Sequence, residues 1–172
     1  MTQHLGKFQL ETERMRLRPL QESDADFLAS LYSNPDVARY IGGNRLTAQA
    51  ATNQAQKFSQ IWKTYGYGQS VLVDKGTCEE IGRVGLHPWE EWGELELGWV
   101  IGKEWQRQGR ATEAAQAWLK WAEQNIPADY LVAVVHSENI ASHKLTQSLG
   151  FVLDREDQTP WNPVLVWRYN LV

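Results

Sequence analysis

The sequence predicts a mixed α/β domain, and three stretches predict it. Residues 94–101 and 110–122 read as a strand and an amphipathic helix joined by a short polar turn. Tyr130–Val135 is a nearly continuous run of β-branched and apolar residues, the mark of a strand covered on both faces. Gln69–Asp74 and Ile81–His87 flank the polar Lys75-Gly76-Thr77 turn and read as a hairpin. At 172 residues the chain is long enough to close a real core, and residues 1–172 are expected to form one domain.

The elements follow in order. Residues 1–13 read as a short leader. Met15, Leu17 and Pro19 then alternate with Arg16 and Arg18, as in a half-exposed first strand. Ser23 stands three residues before Asp26, which predicts a capping box with Asp in the usual Glu place, and Phe27, Leu28 and Leu31 supply the apolar stripe of the helix. Asn34-Pro35-Asp36 starts a short helix with Pro at its first position. Thr47 caps a longer one, in which Ala51, Ala55, Phe58 and Trp62 recur at helical spacing until Gly66 and Gly68 end it. His87-Pro88-Trp89 is expected to end the hairpin's second strand.

In the strand that follows, Leu95, Leu97, Trp99 and Ile101 fall on one face, with Glu94, Glu96, Gly98 and Val100 on the other. The next helix carries Ala111, Ala114, Ala115, Trp118, Leu119 and Ala122 on one stripe. Asn139 caps a helix bearing Ala141, Leu145 and Leu149, which Gly150 stops. Phe151–Arg155 and Val164–Leu171 read as closing strands.

A net charge of −4 gives no electrostatic reason to expect nucleic-acid binding. The one cysteine, Cys78, excludes an internal disulfide. No apolar run approaches the roughly 20 residues of a membrane span and no signal peptide opens the chain, so a cytoplasmic protein that binds no membrane is expected. Nine tryptophans must occupy a core, a pocket or an interface, which leaves a homodimer open.

The polar turn is the first candidate site. A glycine-bearing turn into a helix leaves the helix's first N–H groups unpaired, and with the positive end of the helix dipole they suit phosphate. Neither a P-loop Gly-Lys-Ser/Thr nor a G-x-G-x-x-G is present.

Gln106-Arg107-Gln108-Gly109-Arg110-Ala111 resembles the Gln/Arg-x-x-Gly-x-Gly/Ala pyrophosphate turn of the GNAT superfamily of acetyl-CoA-dependent N-acetyltransferases. Asn139, Ser142, Leu145, Leu149, Gly150 and Phe151 match that family's later Asn-x-x-Ser…Leu-Gly-Phe helix. Residues 12–18, Thr-Glu-Arg-Met-Arg-Leu-Arg, and the Glu96-Leu97-Gly98-Trp99 strand resemble the branch that acetylates ribosomal-protein N-termini. The resemblance runs from Thr12 to the last strand. It implies a mixed, mostly antiparallel sheet splayed between its fourth and fifth strands, here Glu94–Ile101 and Tyr130–Val135, with about four flanking helices.

It also implies a site that uses acetyl-CoA and no metal. Splayed strands leave backbone groups that the amides of a pantetheine arm can pair with, so Trp99, Val100 and Ile101 are expected to hold the arm. The turn from Gln106 through Arg107, Gln108, Gly109, Arg110 and Ala111 to Thr112 would hold the pyrophosphate, with Arg107 and Arg110 adding charge. Asn139 and Ser142 complete the expected cofactor set.

The acceptor, a protein N-terminus or a small-molecule amine, must lose a proton before it attacks, and Glu96 is the first candidate base. Glu94 is its nearest rival, with His87 and His136 behind. Many relatives carry a tyrosine acid where this chain has Thr146; solvent or Tyr169 is the expected substitute. Trp89, Trp92, Tyr40, Trp62 and Tyr65 are candidate walls of an acceptor cleft. A different class of function, a non-catalytic acyl-CoA sensor on the same fold, is distinguished by binding without turnover.

Overall fold

The structure, a computed structural model, describes residues 8–172. Its elements are β1 (Leu10–Glu11), β2 (Met15–Pro19), α1 (Ala25–Tyr32), α2 (Pro35–Ala38), α3 (Ala48–Tyr65), β3 (Gln69–Asp74), β4 (Glu80–Trp89), β5 (Glu94–Ile101), α4 (Arg110–Asn125), β6 (Tyr130–His136), α5 (Ile140–Ser148), β7 (Val152–Gln158) and β8 (Pro163–Asn170). The strands form one eight-stranded sheet in the order β1-β2-β3-β4-β5-β6-β8-β7.

Neighbouring strands pair antiparallel except β5 and β6, which run parallel because α4 carries the chain across between them. That parallel seam holds at a single position, Glu96 opposite Val132. Beyond it the strands diverge, which is the expected splay. The pair counts as fifth and sixth only because β1 precedes them.

Both faces of the sheet are covered. On one, Trp118 of α4 is fully buried among Met15, Leu72, Ile81, Leu86, Leu97 and Leu131. The other packs Val71 and Val100 against Leu28, Leu31, Ala51, Ala55, Phe58 and Ile61 of α1 and α3. The Glu94–Val100 face of β5 is therefore not a solvated one. Alternation marks which residues share a face but cannot show that helices from earlier in the chain will cover it.

Three other expectations change. The leader is partly structured, since Leu10 and Glu11 pair with Leu17 and Arg16, and Phe8 stacks on Trp118 at 5.2 Å between centroids; residues 1–7 lie outside the described residues. The first helix is entered two residues earlier than Ser23 suggests. Asp24 accepts the backbone N–H of Gln21 at 2.8 Å while Arg18 grips its carboxylate, and a short 3₁₀ turn over Glu22–Asp24 leads into α1. Finally, β4 runs through His87-Pro88 to Trp89, because Pro88 pairs across from Leu95 without breaking the register.

The side-chain caps expected at Thr47 and Asn139 are present, and Asn34 caps α2 ahead of Pro35 in the same way.

Candidate active site

α4 begins differently from the capped helices. Its N-cap is Gly109 at φ +78°, with no side chain to close the first turn, and Arg107 two residues earlier also has positive φ, +60°. The first intrahelical bond is donated by Glu113 to the Gly109 carbonyl. The N–H groups ahead of Glu113 therefore have no helical acceptor, and a turn of this kind makes a concave anion site. Glycine is required at 109 by the left-handed backbone rather than by crowding, since the nearest atom to an added Cβ would be Arg14 Nη2 at 3.5 Å.

One of the turn's two arginines is buried, which corrects part of the expected charge. The Arg110 guanidinium is buried, pairs with Asp74 at 2.6 Å and stacks over Trp105 at 4.7 Å. It pins the start of α4 to the end of β3 and holds the Asp74 carboxyl below the usual range, after the larger effect of the Thr77 backbone N–H. Gln106 Nε2 donates to the Ile101 carbonyl at 2.9 Å. Gln108 spans from the Glu104 carbonyl to Arg110 Nε. Arg107 stays exposed. Glu113, one turn into α4, binds Thr12 Oγ1 at 2.5 Å and Arg14 Nε at 3.0 Å, and so ties the start of β2 to the same turn.

A cavity of about 410 Å³ occupies the splay beside this turn. Trp99, Val100 and Ile101 form one wall; Gln106, Arg107, Gly109, Arg110, Ala111 and Thr112 form its end; Asn139 and Ser142 lie across from β5. Of the expected cofactor residues, Gln108 is the one that does not reach it. Sequence reasoning missed Val37, Ile41 and Trp105, which also line it but carry no local motif; they come from α2, the loop after α2 and the run between β5 and α4. Asn139 Oδ1 accepts the Ser142 N–H at 3.2 Å, as a helix cap should.

Glu96 shares its face of β5 with Gly98 and Val100 and lies directly across from His87. The Trp89 indole N–H donates to its carboxylate at 2.9 Å, and the other oxygen lies over Gly98, where an added Cβ would come within 2.8 Å of it. Desolvation pushes the Glu96 carboxyl up to about 7, against the opposing pull of the Trp89 N–H and the Arg83 charge. Burial, reinforced by Lys57 and Arg83, pushes the His87 imidazole down to about 4. Its Nδ1 is buried without a hydrogen-bond partner among the described residues.

The rival base is otherwise engaged. Arg155 donates to both Glu94 oxygens, at 2.8 and 3.1 Å, and Tyr130 OH donates at 3.1 Å. Thr146, in the place of the relatives' tyrosine, is fully buried and donates to the Ser142 carbonyl at 2.6 Å, and Tyr169, the expected side-chain substitute, donates its OH to Glu123 at 2.7 Å. Of the candidate cleft aromatics, Trp62 is core, with its indole N–H on the Gln69 carbonyl, and Tyr65 stacks on Tyr67 at the far end of α3. Trp89 and Trp92 stack together beside Glu96, and Tyr40 lines the cavity and packs against His136.

A splayed mixed sheet with an uncapped helix start beside the splay defines a class of acyl-CoA-dependent transferases, and comparison with known proteins agrees. The acetyltransferase (GNAT) domain family matches residues 14–152. An uncharacterized N-acetyltransferase, p20, from Bacillus licheniformis is 30% identical over 144 residues, covering 83% of this chain and 81% of its own. The crystal structure of an acetyltransferase from Agrobacterium tumefaciens superposes with a TM-score of 0.83 at 28% identity, covering 94% of each chain. The fold is shared, at 14% identity and a TM-score of 0.77 over 95% of this chain and 98% of the other, with the ribosomal L7/L12 alpha-N-protein acetyltransferase RimL in complex with coenzyme A. The chain belongs to the GNAT family and is an N-acetyltransferase. Among the described residues, no helix is long and apolar enough to cross a membrane.

Proposed function

We propose that this chain transfers the acetyl group of acetyl-CoA directly to a primary amine, either a protein N-terminus or a small-molecule amine, with Glu96 as the base. One observation carries the reading. The cavity in the splay is lined by every expected cofactor residue except Gln108, and Glu96, whose carboxyl is pushed up to about 7, shares its face of β5 with Val100 of the cavity wall.

In this scheme the backbone N–H groups from Gly109 to Thr112 hold the pyrophosphate, with Arg107 adding charge from outside. The edge of β5 at Trp99–Ile101 holds the pantetheine arm as an added strand would, and its N–H groups polarise the thioester carbonyl. When bound, acetyl-CoA supplies an activated acyl carbon with a thiolate leaving group.

The acceptor amine comes from the Glu96 side, past Trp89, Trp92 and Tyr40. A carboxyl near 7 is matched to taking a proton from an ammonium at neutral pH, which an ordinary carboxylate does poorly. Trp89 fixes one of its oxygens and Gly98 leaves room for the other.

The test has two arms. Titration of the protein with acetyl-CoA should saturate, and incubation with a library of peptides and amines should give products heavier by one acetyl group in a mass spectrum. Absence of saturable binding overturns the cofactor assignment. Binding without product across the library overturns the transfer.

A further inference from the structure

The arginines of this chain divide by what holds them. Arg14, Arg16, Arg18, Arg110 and Arg155 each pair with a carboxylate, while Arg39, Arg45, Arg107 and Arg168 are exposed. Arg83 of β4 fits neither group. It is half-buried, and its partners among the described residues are neutral: Nε donates to Tyr32 OH at 2.8 Å and Nη1 to Gln69 Oε1 at 2.9 Å. A guanidinium drawn out of water without a counter-charge is costly, so a purely structural role is a poor account of it.

The guanidinium is held still with one end left over. Tyr32 OH donates its own proton to Gln54, Gln69 Nε2 donates to the Gly85 carbonyl at 2.8 Å, and the Phe58 ring lies 5.2 Å from the charge. Nη2 makes no hydrogen bond among the described residues. It is not sealed either, because His87 Nδ1 is the one side-chain nitrogen or oxygen there that is both buried and unpartnered. The register sets Arg83 beside the space in front of Glu96. Arg83 pairs with Val100 and His87 with Glu96, and between them Gly85 faces Gly98, a row without side chains. A Cβ on Gly98 would meet Glu96 Oε1 at 2.8 Å and Gln69 Nε2 at 3.8 Å, so the base and the amide that holds Arg83 border one gap.

We propose that Arg83 binds a carboxylate of the acceptor, so that the amine this enzyme acetylates belongs to a small amino acid or a related amino carboxylate. A planar carboxylate matches the free N–H groups of a guanidinium, which a second ammonium on the acceptor would repel. The amine end lies at Glu96 and the carboxylate end at Arg83, with the glycine row as the floor between them. Lys57, whose charge also reaches His87, adds to the positive side of the gap. This rests on the reading of Glu96 as the base, and the bond changes are those of that reaction. Nitrogen bonds to the acyl carbon, the thiolate leaves with the carbon–sulfur electron pair, and the ammonium proton goes to Glu96.

The test is a ratio. The full chain is supplied with acetyl-CoA and with the common L-amino acids, linear ω-amino carboxylates, and the amide and decarboxylated amine of each. Release of the coenzyme A thiol gives kcat/KM, and a mass spectrum identifies the products. The best amino carboxylate should exceed its own amide and amine by about 10²-fold, mostly through KM, the scale of a charge-assisted pair. Arg83→Gln should bring that ratio close to one. Arg83→Lys, which keeps the charge and loses the planar fork, should hold it at an intermediate value.

A wild-type enzyme that takes the amide or the amine as readily as the amino carboxylate overturns the proposal. So does an unchanged ratio in Arg83→Gln, which would give Arg83 a role in packing alone. If Arg83→Gln does not fold, the wild-type ratio and Arg83→Lys decide. Acetylation of peptides with every amino carboxylate refused overturns this proposal and leaves the transfer reading standing. Absence of product from peptides and small amines alike overturns the transfer reading, and this proposal with it.

Discussion

The two ends of the β5–β6 seam solve opposite problems with the same kinds of group. At the closed end, Glu94 of β5 is bound by Tyr130 of β6 and Arg155 of β7, so three strands are laced together by side chains. At the open end, Trp99–Ile101 and the uncapped start of α4 border a cavity, and few side chains reach across it. Glu96 sits between, at the last position where the strands pair. The difference teaches where unpaired backbone can be tolerated. A splay is stable at one end only if the other is fastened, and the fastening residue cannot also be the base.

The sharpest way to break that division of labour is Glu96→Gln. It should lower acetyl transfer by roughly 10³-fold, within the range for loss of a general base, and abolish the rise in rate through pH 7 that the raised carboxyl imposes. An unchanged pH–rate profile would remove Glu96 from the mechanism.

Glu94→Ala should instead act on the fold. It leaves Tyr130 without its acceptor and Arg155 with Asp154 and Asp157 alone, and should cost about 2 kcal/mol in urea denaturation, with little change in the apparent pKa of the rate. A large loss of rate with intact stability would return Glu94 to candidacy.

Gly109→Val tests the open end. A β-branched residue held at positive φ should cost about 1–2 kcal/mol, seen as roughly tenfold weaker coenzyme A binding by calorimetry.

The smallest effect concerns His87 and Glu96 together. The His87 pKa is depressed, so its unfolded form binds the extra proton and stability is lost as pH falls from about 6.5 towards 4. The Glu96 pKa is raised, so the folded form holds the extra proton and stability is lost as pH rises from about 4.5 towards 7. The two slopes oppose each other over most of that window. His87→Gln should expose a downward slope, with wild type nearly flat, in denaturation curves recorded between pH 4.5 and 6.5.

The fold was legible because the periodicities are clean. The alanine stripe of α4, the β-branched run of β6 and the caps at Thr47 and Asn139 each follow from local rules. The lining of the cavity was legible for a similar reason: an uncapped helix start leaves its mark as a glycine in the turn before it. What the sequence hid was long-range. Nothing near Arg110 announces Asp74, 36 residues away, as its partner. Nothing near Glu94 announces Arg155. Nothing near Glu96 shows that its face of β5 is covered, because the helices that pack on that face lie before it in the chain. Its raised pKa is a property of the packed molecule.

The pairing of Arg110 with Asp74 has a practical consequence. Asp74 also receives the Thr77 N–H, and its carbonyl accepts from Cys78, so the β3–β4 turn is wired directly to the helix start expected to grip pyrophosphate. Cys78 is exposed on that turn and is the chain's one thiol. A single environment-sensitive dye attached there would turn the protein into an optical gauge of its own cofactor occupancy, readable before any acceptor amine has been found.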